Sequence, residues 1–196
     1  MEIKATDVKK LRDLTGSGMM DAKKALVEAK GDTNKALAIL KEKGAAIAAS
    51  KSERVTSQGL IFAYIHPGDK IGSMVEVNCE TDFVARGDDF KKLVKQIATH
   101  VAGMQPLYVG IEDVPAEVIA AEKELYKSQM AGKAKDMADK AIAGKLDSFY
   151  ESVCLLRQPF VLDQDKTVEE LINDFVGIVK ENIKVARFAR FELGDR

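Results

Sequence analysis

Residues 71–86 read Ile-Gly-Ser-Met-Val-Glu-Val-Asn-Cys-Glu-Thr-Asp-Phe-Val-Ala-Arg, and this stretch decides the fold class. Its first half alternates in polarity, with Val75 and Val77 on one face, and this period of two predicts a half-buried β-strand. Its second half offers Thr81 or Asp82 as the N-cap residue of a helix. A strand that leads directly into a helix indicates a mixed α and β domain.

The segments on either side extend this pattern. Alternation from Leu60 to Tyr64, a turn at residues 66–70 and the strand up to Cys79 together predict a β-hairpin. The remaining elements predicted from periodicity are helices at 90–101, 116–126, 135–149 and 167–178, with a break at 131–132, and strands at 152–162 and 185–193. The sequence therefore predicts an α+β fold with an antiparallel β-sheet covered by helices on one side.

Residues 1–54 differ, because their apolar residues recur at helical spacing throughout. The residues expected to face the core of three short helices are Val8, Leu11, Leu14, Ala22, Ala25, Leu26, Ala29, Ala36, Leu37 and Leu40. Asp32 can cap the third helix, and the Ala-rich residues 44–50 predict a helical or flexible connector. We therefore expect a three-helix domain with its connector at 1–54 and an α+β core domain at 55–196. The first part holds 12 basic and 8 acidic residues, whereas the second holds 18 and 23.

Composition excludes several classes of protein. The chain has 196 residues and a net charge of −1, whereas a nucleic-acid coat protein normally has a strong basic excess. Its apolar runs fall far short of the ~18 residues that a membrane span needs, and Met1-Glu2-Ile3-Lys4 opens no apolar signal segment, so we expect a cytoplasmic protein. Cys79 and Cys154 are then expected to be reduced thiols rather than a disulfide.

The sequence also argues against catalysis and against a metal site. Residues 15–18, Thr-Gly-Ser-Gly, follow a helix rather than a strand, so they predict a helix–helix turn and not a phosphate-binding loop. The two histidines, His66 and His100, have no metal-ligand spacing with each other or with the cysteines. No residue lies in a recognisable nucleophile motif. We therefore expect no metal, no cofactor and no enzymatic activity.

Two places have features of a binding surface, and the residues alone leave two interpretations of each. Met19 and Met20 point about 100° apart on a helix, so one of them is either exposed for a partner or loosely packed in the core. Phe83 precedes the periodic helix, so it either covers the core or projects as an aromatic anchor.

Two long motifs resemble signatures of the elongation factor Ts family. The first runs from Val8 to Leu26 and includes Thr-Gly-Ser-Gly-Met-Met-Asp-Ala-Lys-Lys-Ala-Leu, and the second is Glu-Val-Asn-Cys-Glu-Thr-Asp-Phe-Val at residues 76–84. Residues 100–102, His-Val-Ala, and 158–161, Gln-Pro-Phe-Val, also resemble family segments. The resemblance spans the chain.

The resemblance implies a guanine-nucleotide exchange factor for elongation factor Tu, which would act on both its GDP-bound and its nucleotide-free form. It implies that the three-helix domain is of the ubiquitin-associated (UBA-like) type and docks on the partner through Arg12, Met19 and Met20. It also implies that Thr81, Asp82, Phe83 and Val84 form a wedge segment, with Phe83 inserting beside the partner's switch region and displacing Mg²⁺.

The chain departs from the family pattern in three respects. Longer members carry two similar core subdomains, whereas this chain has one, so we expect a two-fold homodimer through the core sheet. Gln96 replaces a family histidine and Gly103 a family alanine, which makes His100 only a possible partner contact. The rival interpretation is a ribosome- or RNA-associated binding module without exchange activity, which would need a basic face.

Overall fold

A computed structural model describes residues 3–130 and 134–195. In chain order the elements in these residues are α1 (Ala5–Thr15), α2 (Met19–Glu28), α3 (Thr33–Lys51), β1 (Gln58–Ile65), β2 (Ile71–Cys79), α4 (Asp82–Arg86), α5 (Asp88–Met104), α6 (Ala116–Gln129), α7 (Lys135–Val153), β3 (Pro159–Phe160), β4 (Asp163–Thr167), α8 (Val168–Val179) and β5 (Lys184–Glu192). The α+β fold predicted from the sequence is confirmed. The predicted break at 131–132 lies outside the described residues.

The chain divides into two compact units, each assembled from separate segments. The first unit contains the chain up to Leu60 together with Val77–Leu93 and Glu170–Lys184. The second contains Ile61–Glu76, Val94–Glu169 and the chain from Val185 onward. The sequence-based division into a docking domain at 1–54 and a core domain at 55–196 rests on the roles expected of the two parts, and it stays a prediction.

Helices α1, α2 and α3 pack around a small core of short side chains. Its buried members are Val8, Leu11, Ala22, Ala25, Leu26, Ala29 and Ala36. Asp32 caps α3 as predicted, since its carboxylate accepts the backbone N–H groups of Asn34 and Lys35. Leu14 was expected in this core but is 71% exposed. Each three-residue step falls about 60° short of a full turn, so Leu14 lies about 120° from Val8 around the helix.

The Ala-rich connector is part of one continuous helix. Residues 44–50 extend α3 as far as Lys51, and Gly44 is buried where α3 passes α8. A Cβ atom built on Gly44 would lie 3.3 Å from the carbonyl oxygen of Asn173, and one on Gly177 would lie 3.2 Å from the Cα of Gly44. These two glycines therefore let the two helix backbones approach closely.

The principal sheet has three strands in the order β1–β2–β5 and is antiparallel. Strands β1 and β2 form the predicted hairpin, closed by a 2.9 Å bond from the backbone N–H of His66 to the carbonyl of Ile71. The alternating exposure of β2 places Val75, Val77 and Cys79 on its buried side. Strands β3 and β4 form a separate two-stranded sheet.

The strand predicted at 152–162 is wrong. Helix α7 continues to Val153, a short 3₁₀ turn covers Leu155–Arg157, and the strand in this segment is limited to Pro159–Phe160. The apolar run there includes Cys154 and Leu155, which are both fully buried. A short apolar run at a helix end has the same sequence signature as a buried strand, so periodicity could not separate the two.

Candidate functional site

The junction between β2 and α4 is organised by Thr81. Its backbone is extended, with φ −125° and ψ 154°, and its Oγ1 accepts the backbone N–H of Val84 at 3.4 Å. Thr81 rather than Asp82 is thus the N-cap of α4. The helix that follows has only five residues, Asp82–Arg86, and isolated helices shorter than about 12 to 15 residues are at best marginally stable in water.

Phe83 projects from the first turn of α4 and is 85% exposed. Its neighbour Val84 is buried at 9% and anchors the turn. The sequence left open whether Phe83 covers the core or projects from the surface, and in the structure it projects. An exposed Phe on a short turn fixed at its base has the geometry of a binding anchor.

Glu181 holds Thr81 from across the chain. One carboxylate oxygen accepts the backbone N–H of Thr81 at 3.0 Å, and the other accepts its hydroxyl at 2.6 Å. Glu80 is held from the same turn, because the backbone N–H of Asn182 donates to its carboxylate at 2.6 Å. This bond lowers the pKa of Glu80, and Arg54 at 3.3 Å lowers it further, so the carboxylate is charged at neutral pH.

The charged residues beside Phe83 are also paired. Asp82 and Arg86 form an ion pair at 2.8 Å across one turn of α4. Cys79 lies just before the junction, and its thiol donates to the carbonyl of Thr81 at 3.1 Å. Burial raises the pKa of this thiol, with a further rise from the charge of Glu181, so Cys79 is a structural rather than a reactive cysteine.

The second surface lies at the start of α2. Met19 is 46% exposed and Met20 is 63% exposed, so neither is a core residue. Lys43 on α3 pairs with Asp21, which fixes this end of α2 against α3. Arg12 on α1 is partly exposed and donates to Asp13 at 2.8 Å.

His100 occupies a different environment, because it is fully buried in the second unit. Its Nδ1 accepts the backbone N–H of Val161 at 3.1 Å, so the proton of the neutral ring lies on Nε2, which donates to Gln158 at 2.9 Å. The ring also stacks on Phe160 with centroids 5.9 Å apart. Every polar atom of the ring therefore has an internal partner, and contact with another protein stays a prediction.

The residues expected to bind a partner fall into one unit. The wedge segment, residues 81–84, and the docking residues Arg12, Met19 and Met20 all lie in the first unit, whereas His100 lies in the second. These residues present exposed apolar side chains on a backbone that hydrogen bonds and ion pairs hold in place. The arrangement offers no convergent ligand set, since no group of three His, Cys, Asp or Glu within 3–130 and 134–195 could hold a metal ion.

Comparison with known proteins identifies the family of the chain. The family model described as elongation factor TS matches residues 2–195. The chain belongs to the elongation factor Ts family. Its similarity to curated members is high over the full length: 55% identity to elongation factor Ts of Coprothermobacter proteolyticus, covering 100% of both chains, and 50% to that of Thermotoga sp. strain RQ2, covering 100% of this chain and 98% of the relative. Elongation factor Ts of Moorella thermoacetica is 52% identical over 98% of this chain and 96% of its own.

Membership of the elongation factor Ts family assigns the chain to translation elongation and to factors that catalyse no covalent chemistry, as predicted. No helix in the part of the chain that the structure describes is both long and apolar enough to span a bilayer.

Two residues that hold the β2–α4 junction could not be found from the sequence. Glu181 and Asn182 contact Thr81 and Glu80 from about 100 positions away in the chain. A local motif cannot reveal such a pair, because the apolar periodicity of α8 ends before Lys180 and nothing in its spacing points back to residue 81.

Proposed function

We propose that this chain is a guanine-nucleotide exchange factor that promotes GDP release from elongation factor Tu. The observation that carries the proposal is Phe83, an 85% exposed aromatic on a turn held by Glu181 and by the buried Val84, within residues 2–195 that the family model matches. In this role Arg12, Met19 and Met20 dock on the partner, and the wedge segment acts on its nucleotide site. The chain works where translation takes place, in the bacterial cytoplasm.

The action of the wedge follows from the chemistry of bound GDP. Mg²⁺ bridges the β-phosphate and a hydroxyl of the partner's phosphate loop, so displacing the ion removes much of the nucleotide's affinity. Inserting Phe83 beside the switch region would move the groups that hold Mg²⁺. In the free protein, the carboxylate of Asp82 next to Phe83 is paired with Arg86.

The energy available from Phe83 is sufficient. Burying about 150 to 250 Å² of a Phe side chain contributes at most ~4 to 6 kcal/mol, an upper bound that corresponds to a change of order 10³ in nucleotide affinity before reorganisation costs. Binding linkage is reciprocal, so a new nucleotide weakens the exchange factor's hold by the same factor and expels it. The factor is thereby recycled without any covalent step.

Exchange is tested by following a fluorescent GDP leaving elongation factor Tu, with and without catalytic amounts of this protein. Phe83→Ala should lower the exchange rate at saturation by about 30-fold or more, because truncating an interface hot spot costs at least about 2 kcal/mol. Leu162→Ala is the matched control, since Leu162 is also exposed, at 62%, but lies in the second unit. Absence of acceleration by the wild-type protein would contradict the function, and full activity of a folded Phe83→Ala variant would remove Phe83 from it.

We further propose that the protein acts as a homodimer. The open sheet face, defined as Ile61, Ile65, Met74 and Phe191, carries four apolar side chains that are 49–73% exposed and alternate with inward-facing residues on their strands. Monomeric proteins rarely leave a large contiguous apolar patch in water. Because longer family members have a second core subdomain and this chain has one, a second copy is the expected cover, related by a two-fold axis.

A further inference from the structure

The turn between α8 and β5, residues 180–183, is shaped to reach the β2–α4 junction within the first unit. Helix α8 ends at Val179, and Lys180 takes a positive φ of 59° while its backbone N–H bonds the carbonyl of Val176 at 2.8 Å. The left-handed residue turns the chain out of the helix axis. Glu181 and Asn182 follow immediately and make the contacts described above.

Glu181 determines which way the hydroxyl of Thr81 points. A threonine hydroxyl has one hydrogen, and here it is donated to Glu181 at 2.6 Å. Its lone pairs are then left to accept the N–H of Val84, which is the capping bond of α4. Because the second oxygen of Glu181 takes the backbone N–H of Thr81 at 3.0 Å, the carboxylate fixes both the backbone and the side chain of the cap residue.

Asn182 fixes the residue before the cap. Its side-chain amide donates to the carbonyls of Ser52 at 3.1 Å and Arg54 at 2.8 Å, and its backbone N–H donates to Glu80. Asn182 is buried, at 5% exposure, so these bonds have little competition from water. Glu80 and Thr81 are therefore both held from one turn, and Asn182 in turn is held by the residues that directly follow α3.

The direction of Phe83 depends on these bonds. An 85% exposed ring has almost no packing of its own to orient it, and Val84 is the single buried residue of the five-residue α4. The backbone of residues 80–82 must then set the direction in which the ring projects. We propose that Glu181 is a positioning residue for the Phe83 wedge, an inference that rests on the exchange function proposed above.

The kinetic test separates positioning from docking. Glu181→Ala should lower the exchange rate at saturation by about tenfold, the loss expected for hydrogen bonds to a charged group, while the concentration for half-maximal rate stays unchanged. Glu53→Ala, which removes an exposed carboxylate of the same unit, should leave both unchanged. In a Phe83→Ala background, Glu181→Ala should have no further effect, because the residue acts through the ring. An unchanged plateau, or a full additional loss in that background, would overturn the proposal.

A second measurement needs no partner. The chain contains no Trp, so Phe83→Trp introduces one indole whose fluorescence anisotropy decay reports its local motion. Adding Glu181→Ala should increase the amplitude of nanosecond motion of that indole, and adding Glu53→Ala should not. Equal mobility with and without Glu181 would overturn the positioning role. If mobility increases but the wild-type protein fails to release GDP, the exchange function fails while the structural link between Glu181 and residue 83 stands.

Discussion

His100 illustrates how one buried residue can join several segments. Its ring bonds Gln158 and Val161, and the amide of Gln158 donates onward to the carbonyls of Met104 at 3.2 Å and Ser152 at 2.9 Å. The ends of α5 and α7 and the strand at Pro159–Phe160 thus meet at one hydrogen-bonded centre. Protonation of Nδ1 would place a second donor against the N–H of Val161 and break this centre.

This centre predicts that the protein loses stability in mild acid. Burial lowers the pKa of His100 below its usual 6.5, so as pH falls the unfolded chain takes up the proton first. The contribution of His100 to the free energy of unfolding should be fully present above about pH 6.5 and decline below it, down to the pKa of the folded state. Urea unfolding midpoints from pH 7.5 to 5 measure the slope, which His100→Asn should reduce. NMR titration of the wild-type ring checks the sign independently, and a pKa at or above 6.5 would contradict it.

At the scale of single elements, the crossing of α3 and α8 depends on Gly44 and Gly177. Lys41 on α3 also pairs with Glu170 on α8 at 2.7 Å, so the contact has a polar edge beside the close backbone approach. The turn that holds Thr81 directly follows α8, so the packing of α8 against α3 also stabilises the position of that turn.

Substitution of these glycines should distinguish packing from helix propensity. Gly44→Val should lower the free energy of unfolding by about 1 to 3 kcal/mol, because its Cβ would meet the Asn173 carbonyl at 3.3 Å. Gly144→Ala is the control for helix propensity alone, since Gly144 lies in α7 with nothing within 4 Å of its Cβ position. Its free energy of unfolding should rise by about 0.5 to 1 kcal/mol. Chemical denaturation of both variants checks the pair, and an unchanged midpoint for Gly44→Val would contradict the close contact.

Elements with a strong local signal could be predicted from the sequence. The hairpin turn at 66–70, the Asp32 cap and the core-facing residues of α2 each depend on neighbours a few positions away. The resemblance points to residues 81–84 as the wedge segment, and that role stays a proposal. The exposure of Phe83 could not be predicted, because Thr81 and Val84 alone are compatible with either direction. Glu181 could not be predicted at all, since its role arises only when two segments 100 positions apart meet.

At the scale of the whole molecule, both units draw on distant parts of the chain. Strands β1 and β2 and helix α5 each have residues in both units. Composition and charge report on neighbours in sequence, so they do not reveal which distant segments pack together in each unit. For the same reason the open sheet face becomes visible only when three strands from different parts of the chain are side by side.

The homodimer proposal predicts a mass of twice 21.4 kDa in solution. Light scattering at micromolar concentration should give the dimer for the wild-type protein, whereas Ile61→Lys should give a monomer, because a charge on the open sheet face would be buried without a partner. Leu125→Lys changes an exposed residue of α6, outside that face, and should leave the dimer intact. A wild-type monomer would contradict the proposal.

The bond between Thr81 and Glu181 can form only late in the synthesis of the chain. Residue 181 is added to the growing chain 100 residues after residue 81, which takes about 5 to 20 s of synthesis. During that interval the N-cap of α4 has no carboxylate to receive its hydroxyl, and the glycine-lined contact of α3 has no α8 to meet. A nascent chain therefore carries residues 81–84 long before Glu181 can hold Thr81, and under the exchange function proposed above the site becomes competent only when the last part of the chain has been made.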